Sequence, residues 1–141
     1  MLMKLILVAG GGFISNFVIQ IAAGVMIVRM VGGPGRRWLA QARLMGGVKT
    51  LSAVTFALLA TFIVQLTIWA VIFEALGQFD DFETALYHSA VNFATLGYGD
   101  IVMQAPWRIL GPLEAICGNL TLGIAVGALA NALRVIQNTE R

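Results

Sequence analysis

The chain has 141 residues, 59% hydrophobic and only 11% charged, with a formal net charge of +2 at pH 7 and a mean hydropathy of +0.87. A chain this apolar cannot cover a water-soluble surface of its size, so the composition predicts a membrane protein in contact with the lipid bilayer. The small, scattered charge speaks against a nucleic-acid partner and the lone Cys117 against an intrachain disulfide or a cysteine-rich metal site, and no paired-carboxylate, nucleophile-elbow or phosphate-loop pattern points to an enzyme.

Residues 5–28 are mostly apolar and long enough to cross a hydrocarbon core ~30 Å thick at ~1.5 Å per residue, which makes residues 1–28 an extra N-terminal transmembrane helix. Its Gly10-Gly11-Gly12 run, Ser15, Asn16 and Gln20 predict that one side packs against protein rather than lipid. A cleaved leader is the competing reading, with Lys4 as its charged end and Ala22-Ala23-Gly24 near the cut. Residues 29–50 carry Arg29, Arg36, Arg37, Arg43 and Lys49 without an acid, the pattern of a basic cytoplasmic loop. Gly32-Gly33-Pro34-Gly35 is expected to break any helix there. Trp38, Leu39, Ala42 and Met45 fall opposite Arg36, Arg37 and Arg43, so a short interfacial helix is the alternative, and the loop is where an unknown regulatory partner would dock. These arginines do not recur every third residue in an apolar helix, as a voltage sensor would require.

Residues 51–73 carry no charge and form the core of an outer helix assigned to 51–76, with Trp69 near its far end. Glu74, Asp80, Asp81 and Glu83 follow without a basic residue, which places this stretch on the external face. Asp80 with Glu83 three residues on has capping-box spacing, and the apolar periodicity behind it predicts a helix over 81–94, too short to span. Entering from outside and stopping at mid-depth, such a helix would aim its negative dipole end at a dehydrated cation. Next comes Thr95-Leu96-Gly97-Tyr98-Gly99-Asp100. Irregular backbone at that depth is tolerated only where it is buried in protein or lines water. Gly97 and Gly99 can adopt angles that turn successive carbonyls to one axis, and Thr95 can add a hydroxyl; a stack of such rings replaces an ion's hydration shell.

The inner helix is assigned to 107–134 and the cytoplasmic tail to 135–141, between Trp107-Arg108 outside and Arg134 and Arg141 inside, which leaves the N-terminus external. Glu114 is the one acid in this span and needs either interfacial water or a hydrogen bond behind the re-entrant segment. Gly118, Gly123 and Gly127 serve close helix packing or bending; Gly118 and Gly123 are the hinge candidates, with an apolar constriction near residues 130–133 and Asn119 facing a cavity.

The signature Thr-x-Gly-Tyr-Gly-Asp, met by Thr95, Gly97, Tyr98, Gly99 and Asp100 between these helices, resembles that of the tetrameric potassium-channel pore family in its prokaryotic two-transmembrane form, over residues 51–134. The resemblance implies an all-α homotetrameric pore in the plasma (inner) membrane, passive conduction, and no cofactor beyond the permeant K+. By the same resemblance the ion ligands are the carbonyls of Thr95, Leu96, Gly97 and Tyr98 and the Thr95 hydroxyl, with Gly99 completing the filter. The chain departs from the family in Leu96 for the commoner valine, Ala94 for threonine, Val91 where some members carry glutamate, and Tyr87-His88 for a tryptophan pair. The expected supports of the filter are therefore Asp100, Glu114, and His88 and Asn92 reaching the Tyr98 hydroxyl or Asp100 across a subunit boundary. His88 is either a neutral hydrogen-bonded residue or, if solvated, a group titrating near ~6.5 that makes the pore acid-sensitive. A weakly selective monovalent cation channel, and a non-conducting interaction subunit on a pore-like scaffold, remain the rival readings.

Overall fold

The computed structural model describes residues 2–41 and 43–140, and every regular element among them is helical. In chain order these are α1 (Leu2–Met30), a π-helical turn (Val31–Gly35), α2 (Arg36–Gln41), α3 (Arg43–Ala75), α4 (Phe82–Phe93), a 3-10 turn (Trp107–Ile109) and α5 (Leu110–Glu140). Leu2–Trp38, Leu44–Ala75 and Trp107–Asn138 are each long and apolar enough to cross a membrane, whereas α4, at 12 residues, is not. The protein is an all-α membrane protein. Its residues fall into two compact units, 2–19 with 62–121 and 20–61 with 122–140.

In the first unit, α1 and α3 run antiparallel: the Gln65 side chain donates to the Asn16 carbonyl (3.3 Å), and one turn back along α1 Gly12 lies under Trp69, one turn further along α3. A Cβ at Gly12 would stand 2.5 Å from Trp69 Cη2, so the missing side chain sets how closely the helices approach. Lipid competes with protein for apolar surface, so within the bilayer such contacts contribute through dispersion and fit rather than through water release. Around them Ala9, Trp69, Ala70, Phe73, Ala85, Phe93, Met103, Leu110 and Cys117 form the buried core. A polar thread runs beside it, from Thr121 Oγ1 to Gln65 Oε1 (3.1 Å) and on through the Gln65 amide to Asn16.

Helix α4 lies back along the end of α3. His88 packs edge-on against Phe73 and Phe93 against Phe62, with ring centroids 5.5 and 6.2 Å apart. These two contacts run α4 antiparallel to the end of α3, and at 12 residues α4 is about 18 Å long, roughly half of what a full crossing needs. Its N-cap is Asp81, one residue later than the capping box at Asp80 and Glu83 predicts. The Asp81 carboxylate accepts from both the Thr84 N–H (2.7 Å) and the Thr84 hydroxyl (2.8 Å).

In the second unit the Gly-Gly-Pro-Gly run does not open into the expected loop. Pro34 lacks the N–H that an α-turn needs, and the wider π turn absorbs it while the backbone stays helical. Gly35 is buried there: a Cβ would meet the Met30 carbonyl at 3.2 Å and Thr50 Cγ2 at 3.3 Å. Thr50 returns its own hydroxyl to Gly46 O (2.8 Å), and Gly47 faces Ile136 of α5. The helix expected around Trp38–Met45 is present as α2 and the start of α3, but the side chains of Leu39, Ala42 and Arg43 lie outside the described residues.

Candidate functional site

The end of α4 decides the conformation of the next residues. The Thr95 N–H bonds to Asn92 O (2.8 Å) and the Leu96 N–H to Val91 O (2.9 Å), while Thr95 takes a φ of +57°. This is a Schellman ending, normally completed by glycine because only glycine enters the left-handed region freely; here a β-branched threonine is held there by two hydrogen bonds. Past it, positive φ recurs at every second residue, +62° at Gly97 and +72° at Gly99, with Leu96 and Tyr98 between them outside that region. A chain that alternates in this way carries successive carbonyls toward one side instead of alternating them as a strand does.

Those carbonyls are unclaimed. Among the described residues no group donates a hydrogen bond to the carbonyl oxygens of residues 95–99, and Leu96 and Tyr98 are 54% and 64% exposed in the isolated chain. Of the carbonyls before them, those of Val91 and Asn92 accept the Schellman bonds, while that of Phe93 abuts Gly118 of α5, where a Cβ would collide with its oxygen.

Behind this segment two chains of hydrogen bonds hold its far end. The Tyr87 hydroxyl donates to Asp100 Oδ2 (2.6 Å), and the Ile101 N–H donates to Asp100 Oδ1 (3.0 Å). The phenol's bond to Asp100 pushes the Tyr87 pKa above its ordinary value and holds the Asp100 carboxyl below the usual carboxylate range. His88 bonds through Nδ1 to Ile101 O (2.9 Å) and through Nε2 to the Asn92 amide nitrogen (2.8 Å). A carbonyl can only accept and an amide nitrogen can only donate, so the proton sits on Nδ1 and the ring is neutral. Burial between Phe73 and Phe79 lowers the His88 pKa, consistent with that state.

Within the chain His88 bonds to Ile101 and Asn92 to His88, and neither bonds to Asp100 or to the Tyr98 hydroxyl. The residue on Asp100 is Tyr87, which the sequence marks only as a departure at an aromatic position. Two further residues escape the sequence reading. Ser89 Oγ lies within hydrogen-bond distance of Leu66 O of α3 (2.7 Å) and of Glu114 Oε1 of α5. Gly111 leaves room for the Asn92 amide, whose nitrogen would stand 3.2 Å from a Cβ there. Glu114 is fully buried, so the interfacial-water alternative is replaced by the bond to α4. Gly111, Glu114 and Gly118, spaced at one helical face, form the seat on which α4 rests. Among the described residues, no atom outside their own helical turns lies within 4 Å of a would-be Cβ at Gly123 or Gly127.

A family model described as an ion channel matches residues 50–135. No curated protein and no solved structure matches the chain.

Proposed function

The chain belongs to the ion-channel family, and from that membership we propose that it is a potassium-selective channel in which four copies surround a carbonyl-lined path. The observation that carries this reading is the run of unclaimed carbonyls at residues 95–99 on a backbone whose φ alternates in sign. Backbone oxygens left bare at membrane depth cost several kcal/mol each unless something satisfies them, and a dehydrated monovalent cation does so without a charged side chain. The path would be lined by Thr95, Leu96, Gly97, Tyr98 and Gly99, with the Thr95 hydroxyl at its inner end and K+ held by the first four. One chain supplies one wall of each ring, and the exposure of Leu96 and Tyr98 fits surfaces that neighbouring copies cover.

The charge bias supports an orientation in a plasma membrane with residues 29–50 and the C-terminus on the cytoplasmic side and the acidic stretch at residues 74–83 outside. Purified full chain in liposomes provides the test. A reversal potential that follows the potassium gradient against sodium, from particles containing four chains, supports the proposal. A potential that ignores the difference between the two ions means a weakly selective cation channel, and an absence of flux from correctly assembled particles means a non-conducting subunit.

A further inference from the structure

Ser89 stands at the meeting of three helices and has too few protons for its neighbours. Its hydroxyl carries one hydrogen, yet Oγ is at hydrogen-bond distance from two oxygens, the Leu66 carbonyl of α3 and Oε1 of Glu114 on α5. Two oxygens do not settle at that separation without a proton between them. The carbonyl has none to give, and the carboxyl group is the neighbour that can supply a second. Two further observations agree. Glu114 has no ion-pair partner among the described residues, and its Oε2 is buried without a hydrogen-bond partner by geometry; the neighbouring Asn92 amide nitrogen bonds to His88 Nε2. A carboxylate in that position would leave a bare charge in a low-dielectric interior, whereas a neutral acid leaves only a carbonyl-like oxygen.

Resting on the channel reading above, we propose that Glu114 is a carboxylic acid that donates to Ser89, so that Ser89 can donate to Leu66, and that this relay pins α4 to both α3 and α5 and makes the position of the filter follow the inner helix. The geometry gives the pin its leverage. One turn beyond Glu114, Gly118 touches the Phe93 carbonyl, and Thr95 follows Phe93 by two residues. A tilt of α5 is therefore delivered to the start of the carbonyl run through two adjacent contacts, one polar and one steric. Ser89 and Glu114 are positioning residues and touch no ion.

The proposal separates the amide from the truncation. In Glu114→Gln the side-chain N–H₂ replaces the acid as donor to Ser89, so open probability should stay within about twofold of the natural protein, while Glu114→Ala and Ser89→Ala should lower it about tenfold, the scale of one lost buried hydrogen bond. Unitary conductance should be unchanged in all three, because the carbonyl ligands are intact. Infrared spectra of the reconstituted full chain at neutral pH should show the carbonyl stretch of a hydrogen-bonded carboxylic acid that disappears in Glu114→Gln. The proposal is overturned if that band is absent or survives the substitution, or if Ser89→Ala gates as the natural protein does. A natural protein that carries no current would sink the channel reading alone, and the infrared comparison would still decide the state of Glu114.

Discussion

Two sets of glycines serve this molecule in opposite ways. Around α4, Gly12, Gly111 and Gly118 each face a partner that a side chain would hit: Trp69, the Asn92 amide and the Phe93 carbonyl. Further along α5, Gly123 and Gly127 face open space among the described residues. The first set fixes how closely α1 approaches α3, through Gly12, and how closely α5 approaches α4, through Gly111 and Gly118. The second set lowers helix stability without a compensating contact, which is the property expected of a segment that bends or that meets another copy.

The sharpest way to break this contrast is Gly118→Ala. Its Cβ has to displace backbone rather than a side-chain tip, and we expect a loss of about 3 kcal/mol or failure to assemble, read as thermal unfolding in detergent. Gly12→Ala should cost less, about 1–2 kcal/mol, because the Trp69 ring can shift; a cost equal to that of Gly118→Ala would mean that α1 is as tightly fixed as α4. Acid should act through His88 in a defined window. Its folded pKa is lowered, so the stability from the neutral ring is full above ~6.5, the unfolded value, and is lost as the pH falls from there to the lowered value. Current should therefore hold at neutral pH, decline only in distinctly acid solution, and lose this decline in His88→Gln; equal acid block in both proteins rejects the assignment. Tyr87→Phe removes one exposed bond to Asp100 and should shorten conducting episodes by no more than a few-fold with the reversal potential unchanged. Smallest of all, Gly123→Ala should leave stability unchanged or raise it by up to ~1 kcal/mol while slowing gating, and a loss of stability there would erase the distinction between the two sets.

Much of this architecture is legible in the residue order, because hydrocarbon imposes a length on every span and the hexamer at 95–100 has few other uses. The three long helices and the short re-entrant one follow from apolar length and from the acidic stretch before Phe82. The finer points depend on competition between near-equivalents. Asp80 and Asp81 each have a polar residue three positions on, and only the built helix shows that Thr84 supplies two donors to Asp81. Glu114 announces that it needs a partner, but Ser89, a single hydroxyl in a mixed helix face, gives no signal of its own. Gly118 reads as a hinge from its place in the resembling family; its contact with Phe93 depends on the crossing of two helices and is invisible along the chain. The Gly-Gly-Pro-Gly run is the clearest mismatch, since local propensity forbids an α-turn but not a π turn.

The bonds that close α4 reach one and two residues into the stretch of open oxygens. The run of open carbonyls therefore begins inside the knot that ties off a helix and is not a slack loop strung between two rods. To collapse it, the protein would first have to pry the amides of Thr95 and Leu96 away from Asn92 and Val91 and undo a coil of helix as it did so.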